Sequence, residues 1–318
     1  MRYFRTKVAK FSEGLFLYGC PLLIVIGTLG NALTVLVLNV KKETRKSSTS
    51  LLLSVLAVVD TSVLLTGLLR QWIIRLKGID IRDNPDSPAV CPIHLFLTYT
   101  TFSLSAWMVL LVTIERYISV VKPIKAKYLC TRRRMSVASA MTILGISALN
   151  GHILGGWRLE KTGSGKFACT MPERNYYKFF VEVQVWQHCL TYSVIPFMMI
   201  VFCNTAIIRR LHLAKLEFAG RSTRDDTKKD KSNSLTKMLL YVNLMFLLTT
   251  LPVSGLIIYQ ERRNFGYTEK DPPLIRILYP TFIYLSYVNN ACNFFIYCFS
   301  GRKFRADLIS LFACLCRS

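Results

Sequence analysis

The chain reads as an all-α integral membrane protein, a bundle of seven transmembrane helices, on three observations. Of its 318 residues 52% are hydrophobic and the mean hydropathy is +0.35, an apolar excess unlike that of a soluble enzyme of this size. The apolar residues gather in seven nearly uncharged runs, 15–40, 51–69, 93–114, 135–157, 183–208, 238–260 and 277–300, which together make up half of the chain. Each is long enough to cross the hydrocarbon core, for which about 20 helical residues suffice. Lipid offers no hydrogen bonds, so uninterrupted runs of this kind satisfy their backbone groups as helices.

With their flanks, the runs predict helices at about 15–40, 48–75, 91–122, 133–157, 181–212, 233–260 and 274–298. A 14-residue external N-terminus precedes this 15–300 membrane domain, and residues 301–318 follow it as an inner tail. The first run is too long for a signal-peptide core and has no small-residue cleavage site, so no removable leader is expected. Between the fourth and fifth runs, Lys161-Thr162-Gly163-Ser164-Gly165-Lys166 separates two short segments with the turn chemistry of a hairpin. The segment from Arg209 to Lys237 is polar and reads as a solvated loop. In the tail, Cys314 and Cys316 end a short amphipathic stretch, where palmitoylation would fix an eighth helix to the membrane surface. No repeat with a period of 20–50 residues is visible, so neither a solenoid nor a two-halved transporter gains support.

Orientation follows from Lys and Arg near the helix ends. With the N-terminus outside, inner segments hold 23 of the 41 basic residues and outer segments 17, while ten of the 18 acidic residues fall outside. This favours an external N-terminus and a cytoplasmic tail in the plasma membrane. Topology and attraction to anionic lipid account for the inner excess without a nucleic-acid partner. Cys91 and Cys169 are the only cysteines in predicted external loops, an oxidising compartment, and are therefore paired as a disulfide.

Charges within the membrane carry the most information, because each costs about 2.5–3.5 kcal/mol at the helix centre. Asp60 lies midway along the second run, and Glu115-Arg116-Tyr117 closes the third. Partners for Asp60 are available in Ser105, Asn289, Asn290 and Asn293. They suit either an ionised carboxylate with a small cation such as sodium or a protonated, hydrogen-bonded acid.

Taken in order, these landmarks resemble a rhodopsin-like (class A) G-protein-coupled receptor over nearly the whole chain. The resemblance rests on Gly30-Asn31, Leu56-Ala57-x-x-Asp60, Cys91 placed 25 residues before Arg116, Glu115-Arg116-Tyr117, Pro196, Phe246 followed by Pro252, and Asn293-x-x-x-Tyr297. Phe304-Arg305 resembles the start of the family's surface helix. The resemblance implies that Glu115, Arg116, Tyr117, Phe246, Pro252, Asn293 and Tyr297 form the switch that opens the inner ends of helices to a heterotrimeric G protein. Arrestin and receptor kinases are further partners it implies. The chain departs from the pattern at Thr250, in place of the sixth-helix tryptophan, at Phe294, in place of the seventh-helix proline, at Asn204, in place of a common tyrosine, and at Ser232, in place of an acidic partner for Arg116. A missing inner latch would allow constitutive activity.

Absences narrow the ligand. Thr98 stands where amine receptors carry an aspartate, and Tyr287 stands where visual pigments carry the retinal-linking lysine. The outer halves of the helices instead offer Gln71, Tyr99, Phe102, Trp186, Gln187, Tyr192, Tyr259, Gln260, Tyr279, Tyr284 and Tyr287, which with Thr98 suit a peptide. Part of this aromatic set is also what any membrane-interface belt contains. Within the family, the loop 122–128 and this vestibule look similar to invertebrate neuropeptide receptors, including FMRFamide-type ones.

Enzymatic readings lack their motifs. The four histidines show no metal spacing, no serine sits in a G-x-S-x-G elbow, and the Gly-Lys loop lacks phosphate-loop spacing. A channel or transporter with Asp60 in its path is the alternative, and a receptor-like protein that does not signal is another.

Overall fold

A computed structural model describes residues 2–163, 165–218, 226–261 and 273–315. They form a helical bundle: α1 (Arg2–Val40), α2 (Ser48–Lys77), α3 (Val90–Val121), α4 (Arg132–Gly156), a β1–β2 hairpin (Arg158–Lys161, Phe167–Thr170), α5 (174–218), α6 (Asp226–Glu261), α7 (Pro273–Ser300) and α8 (Arg302–Leu315). Among the described residues six helices are long and apolar enough to span a membrane, the stretches within α1 to α6. The seventh, α7, packs between α1 and α6 and completes the bundle.

The surface pattern is that of a protein dissolved in lipid. Leu22, Leu29, Leu144, Met198 and Leu248 are each at least 58% exposed, whereas Asn31, Asp60, Ser105, Asn290 and Asn293 are buried. In water that arrangement would be unfavourable; in hydrocarbon the apolar exterior costs nothing and the polar groups need one another. Helix α3 runs through the middle, touching α2, α4, α5 and α6, so residues along it reach most of the interior.

Two glycines set close approaches. A Cβ at Gly67 in α2 would lie 2.5 Å from the Tyr287 hydroxyl, and one at Gly27 in α1 would lie 2.8 Å from the Ala291 Cβ. Both draw α7 against the α1–α2 pair. The hairpin pairs Arg158 with Thr170 through Lys161 with Phe167, and Gly165 closes the turn at φ +81°, a backbone conformation that glycine adopts without strain.

Two departures from sequence expectation concern helix extent and phase. Helix α1 extends back to Arg2, with no Gly or Pro interrupting residues 2–13, and its membrane-spanning stretch is Glu13–Val40, in line with the expected 15–40. In α5, π-helical segments at Phe180–Gln184 and Leu190–Val194 widen the turn, as does Leu64–Leu68 in α2. Each such turn changes which residues face the bundle.

Candidate functional site

The polar centre is built from α1, α2, α3 and α7. The Asp60 carboxylate, fully buried, accepts hydrogen bonds from Ser105 Oγ at 2.6 Å, Asn290 Nδ2 at 2.7 Å and Asn293 Nδ2 at 2.7 Å. Asn290 Nδ2 also reaches Ser105 Oγ at 3.0 Å, and Asn31 Nδ2 donates to the Asn290 carbonyl at 3.2 Å. Asn31 Oδ1 and Asn293 Oδ1 are buried without a hydrogen-bond partner among the described residues. Asn289 is buried nearby but donates no described hydrogen bond to Asp60. A buried carboxylate is tolerated only when donors replace its lost hydration, and α3 and α7 supply them.

At the end opposite the hairpin, Glu115 is anchored rather than free. It accepts from Ser48 Oγ at 3.0 Å and Thr49 Oγ1 at 3.2 Å, both at the start of α2, and pairs with Arg116 Nε at 2.8 Å. Tyr117 packs on Phe202 of α5, ring centroids 6.1 Å apart. Deeper in the same half, Asn243 of α6 accepts from Thr113 Oγ1 at 3.0 Å and donates to Asn204 Oδ1 of α5 at 2.8 Å. Phe246 and Tyr297 are buried, the latter against Phe304 of α8 at 5.6 Å between centroids, and Pro252 lies inside α6. Phe294 faces Gly30, where an added Cβ would sit 3.0 Å from the Phe294 Cβ; the glycine makes room for the ring that replaces a proline.

Helix α8 is tied in by charge. Arg305 Nη1 donates to the terminal α7 carbonyls of Cys298 at 3.1 Å and Phe299 at 2.8 Å, which α7 itself leaves unmatched. Asp307 pairs with Lys41 Nζ at 2.8 Å and accepts from Thr44 Oγ1 at 3.1 Å. The side chains of Ser232 and Cys314 and all of Cys316 lie outside the described residues.

At the hairpin end the Cys91–Cys169 disulfide forms as expected, joining the start of α3 to β2. A second tie lies beside it, because the Cys169 N–H donates to Asp83 Oδ1 at 2.9 Å. Asp83 belongs to the short α2–α3 loop, which Asp80 holds down through Arg70 and Arg82; Arg70 Nε donates at 3.0 Å and Arg82 Nη2 at 2.8 Å. Burial alone would raise the Asp80 carboxyl, but the two guanidiniums outweigh it and hold it well below the usual carboxylate range.

Beneath that cap, rings from three helices meet. Phe102 contacts Tyr192 at 5.7 Å and Tyr287 at 5.4 Å between centroids. His188 stacks on Tyr192 at 5.4 Å and meets the edge of Tyr99 at 4.8 Å, with its Nδ1 buried and without a hydrogen-bond partner among the described residues. Sequence reasoning missed His188, having weighed histidines only for metal spacing; its position one turn before Tyr192 was the available signal. Tyr284 packs on Phe16 of α1, Tyr279 and Gln71 are partly buried, and Thr98 donates back to the His94 carbonyl at 2.8 Å.

Two expected ligand contacts face elsewhere. Trp186 is 44% exposed on the outside of the bundle, and Gln187 Nε2 donates to the Leu149 carbonyl of α4 at 3.2 Å. The π-helical segments of α5 turn these residues away and bring in His188 and Tyr192. Tyr259 and Gln260 lie in α6 at positions whose side chains are outside the described residues.

These features define a multi-pass helical membrane protein with a polar centre, a capped aromatic cluster at one end and an anchored Glu-Arg-Tyr element at the other. Residues 30–297 match the family described as 7 transmembrane receptor (rhodopsin family). The chain is 26% identical over 300 residues to C-C chemokine receptor type 7 of Homo sapiens, covering 90% of this chain and 72% of that receptor. It is also 26% identical over 305 residues to the FMRFamide receptor of Drosophila melanogaster, covering 91% of this chain but 52%, about half, of that protein. The chain belongs to the rhodopsin family of seven-transmembrane receptors: it is a G-protein-coupled receptor, not an enzyme.

Proposed function

We propose that this receptor binds an extracellular neuropeptide among Tyr99, Phe102, His188, Tyr192, Tyr284 and Tyr287, with the hairpin end and N-terminus outside the plasma membrane. The carrying observation is the cluster of phenol and imidazole groups around Phe102, beneath a hairpin fixed by Cys91–Cys169 and Asp83. Amphipathic rings of this kind give a peptide contact area with polar ends. The similarity to receptors named for a chemokine and for FMRFamide agrees with a peptide ligand. No acid stands at Thr98 to hold a protonated amine, whose hydroxyl is engaged by its own helix.

On this reading the cytoplasmic end carries Glu115-Arg116-Tyr117, and ligand binding favours a packing in which α5 and α6 part and Arg116 is released toward the G protein. Arrestin and receptor kinases would use the same face, and acylated Cys314 and Cys316 would fix α8 to lipid. The oxygens of Asp60, Ser105 and Asn293 are of the hard type that sodium takes, and the orphaned Asn293 Oδ1 fits such an ion. When bound, sodium would add positive charge at the centre and favour the closed packing.

The test is G-protein activation in cells expressing the chain, with a panel of amidated neuropeptides and with Arg116→Ala as comparison at equal surface level. A response to one peptide that Arg116→Ala removes supports the reading. Silence with every peptide and alpha subunit, together with an ion current or solute flux that Asp60→Asn abolishes, would overturn it in favour of transport.

A further inference from the structure

We propose that Thr113, Asn243 and Asn204 form the latch that holds α6 against α3 and α5 in the closed receptor, an uncharged clasp in place of an ion pair to Arg116. The inference rests on the receptor reading above. Asn243 is buried and uses both ends of its amide: Oδ1 accepts from Thr113 Oγ1 at 3.0 Å and Nδ2 donates to Asn204 Oδ1 at 2.8 Å. One side chain thus ties together the three helices that must separate.

The clasp sits where a latch has leverage. Pro252 lies nine residues outward along α6 and Pro196 eight residues outward from Asn204 along α5, a span of about 13 Å at 1.5 Å per residue. A small bend at either proline therefore carries the clasp apart. Thr113 precedes Arg116 by one helical turn, so breaking the clasp uncovers the face of α3 on which Arg116 stands. Arg116 meanwhile has its carboxylate partner in Glu115 of its own helix, an ion pair that does not hold α6.

Its chemistry suits reversible opening. The Thr113 hydroxyl carries one proton and has two acceptors in reach, Asn243 Oδ1 at 3.0 Å and its own Val109 carbonyl at 2.7 Å. When Asn243 departs, the proton falls back on Val109 and α3 is left with no orphaned donor. The two asparagines would meet water entering between α5 and α6. Closed, the amide is surrounded by the main apolar core, to which its neighbours Val112, Val242 and Phe246 belong, so the bonds are made where water does not compete. Being neutral, the latch is also insensitive to ionic strength and to pH.

The experiment compares the full chain with Asn243→Leu, Thr113→Val and the double variant, at matched surface level, by basal G-protein activation and by hydrogen exchange of the inner half of α6 in purified receptor. Loss of one or two hydrogen bonds shifts the closed–open balance by about fivefold or more. Basal activation should rise by that factor in each single variant, exchange in α6 should quicken, and the double variant should add little, because both changes break one clasp. Thr113→Ser, which keeps the hydroxyl, should return basal activity to the native level. Unchanged basal activity and unchanged exchange in both single variants would overturn the proposal. Should Asn243→Leu fail to reach the surface, Thr113→Val, which replaces a hydroxyl by a methyl, decides alone. Faster exchange in a chain that activates no G protein with any peptide would keep the latch and sink the coupling reading, so the two failures are distinguishable.

Discussion

The two ends of the bundle are held by different chemistry. At the hairpin end a disulfide, the Asp83 tie to Cys169 and the Arg70–Asp80–Arg82 cluster fasten the first loop, α3 and the hairpin to one another. At the opposite end, among the described residues, the Asn243 amide joins α6 by hydrogen bonds to α3 and α5, which also meet through Tyr117 and Phe202, while Glu115 fastens α3 to α2 and Asp307 fastens α8 to the turn before α2. Covalent and charge-paired contacts give an end of fixed shape; neutral hydrogen bonds, each with a net worth of about 1 kcal/mol, give an end that can change packing. The Asp60 cluster lies between them and joins both to α7.

The largest expected effect comes from opening the fixed end. Cys91→Ser removes a cross-link closing 78 residues and should cost about 4 kcal/mol, read as loss of surface receptor and of thermal stability in detergent. A variant with native surface level and Tm would show that the noncovalent ties suffice. Next, Asp60→Ala leaves the amides of Asn290 and Asn293 and the Ser105 hydroxyl without their acceptor, and should destabilise by about 3 kcal/mol. In the same thermal assay, exchanging choline chloride for sodium chloride should raise the native Tm and leave Asp60→Asn unmoved; equal responses would remove sodium from the account.

A smaller effect, about 2 kcal/mol, is expected for Asp80→Asn, which weakens two guanidinium contacts at the first loop. Its pH dependence has a definite sign. The Asp80 carboxyl is held below its unfolded range, so its contribution is fully present above that range and is lost as pH falls through the folded value. The stability gap between native and Asp80→Asn protein should therefore be constant from pH 5 to 8 and narrow only under stronger acid. A gap that narrows near neutrality would mean the cluster does not hold the loop. The smallest effect, within about 0.5 kcal/mol, belongs to Trp186→Leu, a change on the lipid-facing side of α5 that should leave peptide affinity as it was. Tyr192→Ala, by contrast, should weaken it, and equal losses in the two variants would return Trp186 to the binding residues.

Much of this was legible beforehand because its signals are local. An apolar run long enough to span lipid declares its helix whatever its neighbours, a Gly-bearing turn declares its hairpin, and a lone acid in such a run demands polar partners, which Ser105, Asn290 and Asn293 supply. The facing of α5 was not legible. Its π-helical segments rotate Trp186 and Gln187 away and bring His188 to Tyr192, and no periodicity survives in a helix whose outer surface is as apolar as its inner one.

The sequence by itself determined the seven spans, the disulfide and the carboxylate at the centre, since hydrophobicity, redox compartment and the cost of a buried charge act residue by residue. Only the tertiary structure decided which of the polar residues meet. That Thr113 shares one set of hydrogen bonds with Asn204 and Asn243, which lie 91 and 130 residues further along the chain, depends on the relative rotation of three helices, and side-chain packing rather than local composition sets that rotation.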